Sequence, residues 1–197
     1  MIKKYIEKFF FIVMLFSNSL HSIDTILEFK GAYFLSTDQT FKKIFSNGGA
    51  LYGPEITAKI YKHLYGFASA DFFNKNGSSI GLCSSTRANI VNLGFGLKYL
   101  IDFCYGDFYV GLGVLPTKLK TTDCSPFVIN QQSKWACGGI AKVGAYIDLP
   151  CSFVLDLFFN YSFVAIKFDC CPNALTQPNT ARLNGCWFGA GVGYRFN

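Results

Sequence analysis

The sequence predicts an all-β fold, namely an eight-stranded antiparallel up-and-down transmembrane β-barrel preceded by a cleaved signal peptide. Hydrophobic residues make up 51% of the 197 residues and charged residues only 15%, which is an apolar composition for a soluble chain. Beyond the leader, however, no stretch approaches the roughly 18 uninterrupted apolar residues of a membrane-spanning helix. Apolar residues instead alternate with small or polar residues in successive segments, as in strands that face lipid on one side.

The beginning of the chain has the anatomy of a secretory leader. Lys3 and Lys4 precede an apolar run over residues 9–16, and small or polar residues follow over residues 17–22. Because this run is too short to span a bilayer, it predicts a signal peptide over residues 1–22 and one β-barrel domain over residues 23–197. Without the leader, which holds three lysines and one glutamate, the formal net charge falls from +6 to +4, and this diffuse charge does not indicate nucleic-acid binding.

The first four strands are predicted over residues 26–36, 55–63, 66–73 and 91–103. The fourth is the clearest, because seven apolar residues from Val91 to Phe103 alternate with smaller or polar residues such as Gly94 and Lys98. The polar segments 37–53 and 74–87 are predicted as loops, and the connection at residues 63–65 is predicted as a tight turn.

The last four strands follow the same pattern over residues 108–115, 135–149, 153–163 and 186–196. Residues 104–107 and 150–152 are predicted as tight turns, whereas residues 121–133 and 170–183 are predicted as loops. In the closing strand the even positions from Cys186 to Phe196 are apolar, and the odd positions hold Trp187, three glycines and Arg195. Small residues and one charge suit a crowded barrel lumen better than the water-facing surface of a sheet.

The connections therefore alternate between long and short along the chain. Single-chain transmembrane barrels have this rhythm, with long loops on the outer side and short turns on the inner side. A sheet in lipid must also close, since an open edge would leave backbone groups without partners, and an even number of strands allows closure. A soluble lipocalin-like barrel would place the apolar face inside, and the charged inward face and the leader argue against that alternative.

The leader, the eight strands and the closing G-x-G-x-G-Y-R-F at residues 189–196 resemble the small eight-stranded outer-membrane β-barrel superfamily. Its members include the outer-membrane protein A transmembrane domain, protein X, protein W and the opacity-type surface proteins, and the resemblance covers residues 26–197. It implies a place in the bacterial outer membrane, contact with its lipid and lipopolysaccharide, and insertion by the barrel-assembly machinery through the C-terminal strand. In that superfamily the last strand usually ends on an aromatic residue, whereas Asn197 follows Phe196 here.

Charged residues at inward positions predict a network inside the barrel. An eight-stranded barrel is just wide enough to be filled by side chains, and charges buried there require partners. We expect Arg195 to meet Asp156 and Glu28, and Lys98 to reach Asp71; a proton or ion path is the alternative. The predicted network comprises Glu28, Lys30, Lys59, Asp71, Lys98, Asp156 and Arg195, and Glu55, Asp102, Lys142 and Asp148 are further inward charges.

All eight cysteines lie in the mature chain, as expected for an oxidising compartment. We expect one disulfide between Cys124 and Cys137 in the third loop, and another between Cys186 and either Cys170 or Cys171 in the fourth. Other pairings stay open. The predicted topology places Cys83, Cys124, Cys137, Cys170, Cys171 and Cys186 at the extracellular end, and Cys104 and Cys151 at the periplasmic end.

Residues for a metal, a cofactor or catalysis are not indicated. The mature chain has no C-x-x-C pair and a single histidine, His63, so a metal site is not expected. No serine adjoins His63, as a lipid A-modifying enzyme of this fold would require. Glycine pairs such as Gly94 and Gly96 lie inside strands, whereas a dinucleotide motif needs a strand, the glycines and then a helix. We predict no enzyme, no cofactor and no nucleic-acid partner.

Lys118, Lys120 and Lys167 fall on outward positions at the outer rim. Their side chains either snorkel to the membrane interface or pair with lipopolysaccharide phosphates. The second reading would give the barrel lipid specificity without chemistry.

Two functions from different classes remain. The first is a structural or surface-interaction barrel with a side-chain-filled lumen, which displays disulfide-clamped extracellular loops for envelope integrity or adhesion to a surface or host partner, since binding often resides in exposed loops. The second is a narrow channel for small apolar solutes, as in protein W. A lipid A-modifying enzyme is a third alternative, which the missing His–Ser arrangement disfavours. Inward positions filled by charged and bulky side chains favour the first function.

Overall fold

The structure is a computed structural model that describes residues 24–45, 48–78, 85–123, 131–167 and 180–196; the predicted signal peptide lies outside these ranges. No α-helix among the described residues is long and apolar enough to cross a membrane. In chain order the elements are β1 (Thr25–Ser36), α1 (Gln39–Phe45), β2 (Gly48–Tyr61), β3 (Leu64–Ser78), β4 (Ser85–Phe103), β5 (Gly106–Asp123), β6 (Gln131–Asp148), a 3₁₀ turn (Pro150–Ser152), β7 (Phe153–Phe163), β8 (Ala165–Lys167), β9 (Thr180–Arg182) and β10 (Gly185–Phe196).

Eight of these strands close into one barrel in the order β1, β2, β3, β4, β5, β6, β7 and β10, and β10 pairs with β1. The closure is continuous, because Thr25 lies opposite Phe196 and Ser36 lies opposite Gly185 at the two ends of the antiparallel β1–β10 pair. β8 and β9 form a separate two-stranded hairpin within the connection from β7 to β10. The predicted all-β, eight-stranded, up-and-down barrel is thereby confirmed.

The two ends of the barrel differ in their connections. Short connections at residues 62–63, 104–105 and 149–152 lie at the end that also holds the start of β1 and the end of β10. The longer connections after β1, β3, β5 and β7 lie at the opposite end, and the one after β7 carries β8 and β9. We call the first end periplasmic and the second extracellular, following the arrangement of transmembrane barrels.

The outer wall of the barrel is apolar, as the alternation predicts. On β4, the side chains of Phe95, Leu97, Tyr99 and Ile101 are about half exposed, whereas Lys98 among them is fully buried. Apolar side chains that face outward in this way form the band that a membrane barrel presents to lipid. The charged side chains between them point into the lumen.

The predicted loop over residues 37–53 is wrong, since it contains α1 and most of the first half of β2. Asp38 caps α1, because its carboxylate accepts the backbone N–H of Phe41 at 2.9 Å. Phe41 and Phe45, four residues apart on one face of α1, are both buried. A helix of seven residues is too short to show a clear 3.6-residue period in the sequence.

The predicted loops over residues 74–87 and 121–133 are too long. β3 and β4 stay paired up to Ser78 and Ser85, and β5 and β6 stay paired up to Thr122 and Gln131. Near the extracellular end of these strands the outward side chains, such as Asn76, are polar. The sequence there therefore resembles that of a loop. β4, β5 and β6 have 19, 18 and 18 residues, which exceeds the about 9–11 residues that cross a bilayer, so these strands project beyond the membrane at the extracellular end.

Leu112→Arg tests the placement of the apolar band. Leu112 is 71% exposed on the outer wall of β5, and an arginine facing lipid at the bilayer midplane costs about 2–4 kcal/mol in such barrels. We therefore expect this variant to lose about 2–4 kcal/mol in the free energy of unfolding, measured by denaturant titration in lipid vesicles. Ser133→Arg, on the projecting part of β6, is the matched control and should change it by no more than about 0.5 kcal/mol. Equal losses would contradict the position of the band.

Candidate functional site

The lumen is filled at three levels, which we name after their content. The apolar half fills the extracellular end, the charged plug lies in the middle, and the periplasmic brace crosses the mouth at the end with the short turns. The charged plug comprises Glu28, Lys30, Glu55, Lys98, Lys142 and Asp156, and the brace comprises Asp107, Asp148 and Arg195.

Glu55 on β2 is the centre of the charged plug. Its buried carboxylate lies 3.1 Å from the Nζ atom of Lys30 on β1. The ammonium groups of Lys98 on β4 and Lys142 on β6 also contact this carboxylate directly. One carboxylate thus joins lysines from three different strands, and each of these buried charges has the ionic partner that burial requires.

The other two carboxylates complete the balance of charge. The Nζ atom of Lys30 lies 2.7 Å from Oδ2 of Asp156 on β7 and 3.2 Å from Oε1 of Glu28. The Nζ atom of Lys98 lies 3.7 Å from the same Glu28 oxygen. Three lysines are therefore matched by three carboxylates in one continuous network, whose side chains are at most 4% exposed.

Two tyrosines occupy the remaining space at the same level. The hydroxyl of Tyr146 accepts a hydrogen bond from Lys98 at 2.6 Å and donates one to Glu28 at 3.0 Å. The hydroxyl of Tyr109 donates to Asp156 at 3.0 Å, and the two rings lie 4.9 Å apart. With these tyrosines the plug receives side chains from six barrel strands, and each of these residues is at most 4% exposed.

The periplasmic brace crosses the opposite mouth of the barrel. The guanidinium of Arg195, near the end of β10, contacts Asp107 on β5 at 2.5 Å and Asp148 on β6 at 3.2 Å. Because β7 and β6 separate β10 from β5 in the barrel, the Arg195–Asp107 pair spans the mouth. Tyr65 adds a second tie, since its hydroxyl donates a 2.6 Å hydrogen bond to Asp24 ahead of β1. These contacts tie β10 to β5 and β6, and β3 to the residue ahead of β1, at the periplasmic mouth.

Four of the seven residues predicted for the lumen network meet in the plug, but the predicted Lys98–Asp71 pair is wrong. Asp71 lies opposite Asn92 in the β3–β4 pair, and Asn92 is six residues along β4 from Lys98. The ammonium group of Lys98 instead contacts the carboxylates of Glu55 and Glu28. Asp71 is buried nevertheless, and it accepts a hydrogen bond from Ser69 at 3.2 Å.

The predicted meeting of Arg195 with Asp156 and Glu28 is also wrong. Glu28 lies opposite Gly193, so Arg195 stands two residues nearer the periplasmic end and reaches the brace instead. Lys59, another member of the predicted network, has a 43% exposed side chain at the same rim, 3.7 Å from a carboxylate ahead of β1. It lies near the end of β2, where an inward position no longer means burial.

Glu55 and Lys142 belong to the plug although the predicted network omits them. Alternation marks both as inward charges, but only the register between strands reveals their partners. Glu55 lies directly opposite Glu28 in the β1–β2 pair, and two adjacent carboxylates in a lumen require shared cations. The residue-by-residue pairing of β1 with β2 therefore reveals that Glu55 belongs to the plug, whereas the alternation along one strand shows only that it faces inward.

Four thiols, those of Cys104, Cys137, Cys151 and Cys186, are free. The partners expected for Cys137 and Cys186, which are Cys124 and either Cys170 or Cys171, lie outside the described residues, so these two disulfides stay predictions. Cys137 is exposed on the outer wall opposite Pro116, and the β5–β6 pairing continues well beyond it, so it belongs to a strand and not to a loop. The cysteines outside the described residues are Cys83, Cys124, Cys170 and Cys171.

His63 lies on the exposed turn between β2 and β3 at the periplasmic rim. Its Nδ1 atom is 3.8 Å from the carboxylate of Asp102, and its ring centre is 5.9 Å from that of Tyr99 on the outer wall. The side chain of Asp102 is 72% exposed, so this predicted inward charge is not buried in the lumen. This arrangement ties the turn to β4 at the end far from the long connections.

Three cations lie on the outer wall at the upper edge of the apolar band; we call Arg87 on β4 and Lys118 and Lys120 on β5 the basic patch. The Nζ atom of Lys118 lies 5.6 Å from the ring centre of Trp135, its partner on β6. Arg87 donates from Nε to a side-chain amide on β3 at 2.8 Å. The described side chains on this face include no carboxylate, so the patch is positively charged. Lys167 ends β8, and its side chain lies outside the described part.

The extracellular half of the lumen is apolar, whereas the interior of a membrane barrel is usually polar. Side chains of the wall strands form a buried cluster, which α1 and the segment around β8 and β9 cover. A cavity of about 10 Å³, room for one water molecule, remains inside it. The apolar half comprises Phe34, Phe41, Phe45, Leu51, Phe67, Phe73, Ala88, Ile90, Leu115, Leu119, Ile140, Val164, Ile166, Leu183 and Trp187.

Glu55→Gln tests the charged plug. Three buried lysines then lose the carboxylate that they share, so we expect the free energy of unfolding to fall by about 3–5 kcal/mol in denaturant titrations in lipid vesicles. The matched control is Lys59→Gln at the exposed rim, where the loss should stay below about 1 kcal/mol. A loss for Glu55→Gln as small as that of the control would count against the plug as a stabilising element.

No family model and no curated protein matches the chain, but solved structures do. The structure of Ail, the attachment invasion locus protein of Yersinia pestis, in complex with the heparin analogue sucrose octasulfate has a TM-score of 0.57 at 16% identity, over 88% of this chain and 99% of that chain. Neisserial surface protein A has a TM-score of 0.57 at 12% identity, over 86% of this chain and 96% of that chain. A second structure of Ail has a TM-score of 0.52 at 15% identity, over 88% and 99% of the two chains.

At sequence identities of 12–16%, the similarity to these structures concerns the fold alone. The matches cover nearly the whole of each neighbouring structure. This chain also has a closed eight-stranded barrel, an apolar outer wall and buried side chains in its lumen. The chain therefore has the fold of the small eight-stranded outer-membrane β-barrels.

Proposed function

We propose that this chain is a surface-interaction protein of the bacterial outer membrane, which serves envelope integrity or adhesion through its extracellular end. The observation that supports this proposal is the charged plug, because six buried charges and two tyrosines from six barrel strands meet inside the lumen. The periplasmic brace links β10 to β5 and β6 at the mouth. Function then resides where the strands project and the long connections lie. The apolar outer wall and the fold shared with Ail and Neisserial surface protein A support this location.

Phosphate groups of lipopolysaccharide are the proposed partners of the basic patch. Lys118 and Lys120 stand beside Trp135, an aromatic residue of the kind that marks the membrane interface in such barrels. Ammonium and guanidinium groups form charge-assisted hydrogen bonds with phosphate oxygens. Ail has been solved with a polyanionic heparin analogue, which supports the anionic class of partner for a barrel of this shape. Lys167 is a third candidate contact in this proposal.

The C-terminal strand is the proposed signal for the barrel-assembly machinery. β10 forms the closing seam with β1 along its whole length. The aromatic rings of Tyr194 and Phe196 lie 4.8 Å apart at its end. They match the aromatic end of the last strand that is usual in the resembling superfamily, except that Asn197 follows Phe196 here.

A narrow channel for small apolar solutes is the second candidate, and the apolar half of the lumen favours it. An apolar solute that passed through the whole barrel would have to cross the charged plug and separate its ion pairs, which is unfavourable in a dry lumen. The surface-interaction role therefore ranks first. No enzymatic activity is proposed.

Planar-bilayer recording tests the blocked lumen. The purified protein should insert without discrete conductance steps, because the plug and the brace lie on the same path. Insertion is verified independently by protease protection of the barrel in vesicles. Regular steps from verified barrels would overturn the surface-interaction proposal and place transport first.

Charge removal on the basic patch tests the anionic partner. The variant Lys118→Gln/Lys120→Gln should bind lipopolysaccharide-containing vesicles at least about fivefold more weakly, because two charge-assisted contacts are lost, and binding of the unaltered protein should weaken with salt. Change in Trp135 fluorescence is the readout. Lys59→Gln, at the periplasmic rim, is the matched control and should bind normally. Unchanged binding by the double variant would remove these lysines from the proposal.

A further inference from the structure

Asp71 is a buried acidic residue that has no ionic partner among the described residues. It is 5% exposed on the inward face of β3 and does not belong to the charged plug. The three carboxylates of the plug are matched by its three lysines. Asp71 is therefore an additional acidic group beside a set of charges that is already balanced.

The hydrogen bonds of Asp71 do not take the place of a cation. Its Oδ2 atom accepts from the hydroxyl of Ser69 at 3.2 Å, and no N–H group of the described residues donates to it. Asn92 lies directly opposite on β4, but its amide oxygen accepts from Thr117 at 2.8 Å. A buried carboxylate that is stable in its ionised form typically accepts roughly two or three N–H bonds, so Asp71 lacks this support.

The surroundings of Asp71 are apolar and closely packed. Phe67 and Phe73 lie on the same inward face of β3, and both rings belong to the buried cluster of the apolar half. On the side of β2, a Cβ atom at Gly53 would lie 1.8 Å from the carbonyl oxygen of Ala70 and 3.0 Å from Cα of Asp71. The carboxyl group thus lies where an ionised form is poorly solvated.

The charges on the strands around Asp71 are engaged with each other. Lys142 on β6 and Lys30 on β1 attract its carboxyl group without direct contact, and Glu55 on β2 repels it. Both lysines contact Glu55, and so does Lys98 on β4. Their attraction for Asp71 is therefore offset by the carboxylate that they share.

Two further lysines near this level are also turned to other surroundings. Lys75, on β3 itself, donates from Nζ to the carbonyl oxygen of Gly48 at 2.7 Å. Lys42 lies on the exposed face of α1, the helix that packs on β3. A carboxyl group that is buried without a cation becomes more stable when it binds a proton and loses its charge.

We infer that the lumen of this barrel binds one proton, on the carboxyl group of Asp71, in mildly acidic surroundings in which exposed aspartates are ionised. The protonated group is neutral and keeps its hydrogen bond with Ser69. As the pH rises, the group ionises and adds one uncompensated negative charge beside the plug. Where the folded protein holds a proton that the unfolded chain has released, stability falls as the pH rises. The barrel is thus stabilised by acid, a property that goes beyond surface interaction.

Asp156 on β7 provides the matched comparison. It is an aspartate buried in the same lumen, but its carboxylate lies 2.7 Å from Nζ of Lys30 and accepts from the hydroxyl of Tyr109 at 3.0 Å. Asp71→Asn removes a charge that has no partner, so this variant should fold as the unaltered protein does. Asp156→Asn breaks an ion pair and leaves Asp71 in place.

Infrared difference spectroscopy tests the proton directly. Vesicles of ether-linked lipids are used, because the ester carbonyl of ordinary lipids absorbs where a protonated carboxyl group does. At about pH 5, where exposed aspartates are mostly ionised, the spectrum of the unaltered protein minus that of Asp71→Asn should show one protonated-carboxyl band.

The band should disappear as the pH is raised to about 8. The Asp156→Asn protein should keep it; Asp148→Asn, at the exposed rim, is the control if Asp156→Asn does not refold. A difference spectrum without the band would overturn the inference. Loss of the band on addition of sodium chloride at constant pH would also overturn it, because a sodium ion would then hold the site.

Denaturant titration in the same vesicles gives an independent readout. From about pH 4 upward, the unfolding constant of the unaltered protein relative to that of Asp71→Asn should rise by up to about tenfold per pH unit. The rise should end at the pH at which the infrared band disappears. A ratio that does not change with pH would contradict the binding of this proton. Neither readout depends on conductance or on lipopolysaccharide binding, so the result is separate from the tests of the proposed function.

Discussion

The shared carboxylate of Glu55 is the contact on which the interior of this barrel depends. Lysines from β1, β4 and β6 converge on it, and each would otherwise be an isolated charge in a space from which water is largely excluded. Their mutual repulsion is offset because Glu28 and Asp156 complete the set of carboxylates. The network holds opposite walls at a fixed separation, and the levels above and below it can therefore differ in chemistry.

That difference divides the barrel into two kinds of structure. In the membrane part of β5, Val110 and Leu112 face outward and glycines face the lumen. Further along the same strand, Leu115 and Leu119 are buried inside and Lys118 lies on the outer wall. The alternation continues without a break, but the apolar side moves from outside to inside. A membrane barrel below thus becomes, above the bilayer, a barrel packed as a soluble protein is packed.

This inversion explains where sequence reasoning succeeded and where it stopped. Period-two alternation with apolar residues outward identified all eight barrel strands, because lipid imposes one rule on each of them. Where the strands leave the bilayer the rule reverses, so the segments around Asn76 and Thr122 resembled polar loops and the sequence did not reveal the apolar half. The lipocalin-like arrangement, rejected for the whole chain, describes this upper part.

The functional residues show the same limit. Alternation assigned Glu28, Lys30, Lys98 and Asp156 to the interior, but ionic partners depend on register and strand neighbourhood, which a single sequence does not display. Arg195 illustrates this, since a shift of two residues along β10 separates the plug from the brace. The helix α1 escaped notice for a different reason, because its stability comes from two rings packed on the lumen and not from its own periodicity.

The residues that pair in the plug lie far apart in the sequence, and this separation affects how the protein inserts into its membrane. Lys142 and Glu55 are 87 residues apart, and Tyr146 and Glu28 are 118 residues apart, so these partners meet only after most strands are in place. A growing, unclosed sheet carries their charges uncompensated on one face, and that face resists transfer into hydrocarbon. Joining of β1 to β10 and entry into the bilayer are therefore coupled events, and neutralisation of the interior accompanies the closing of the seam.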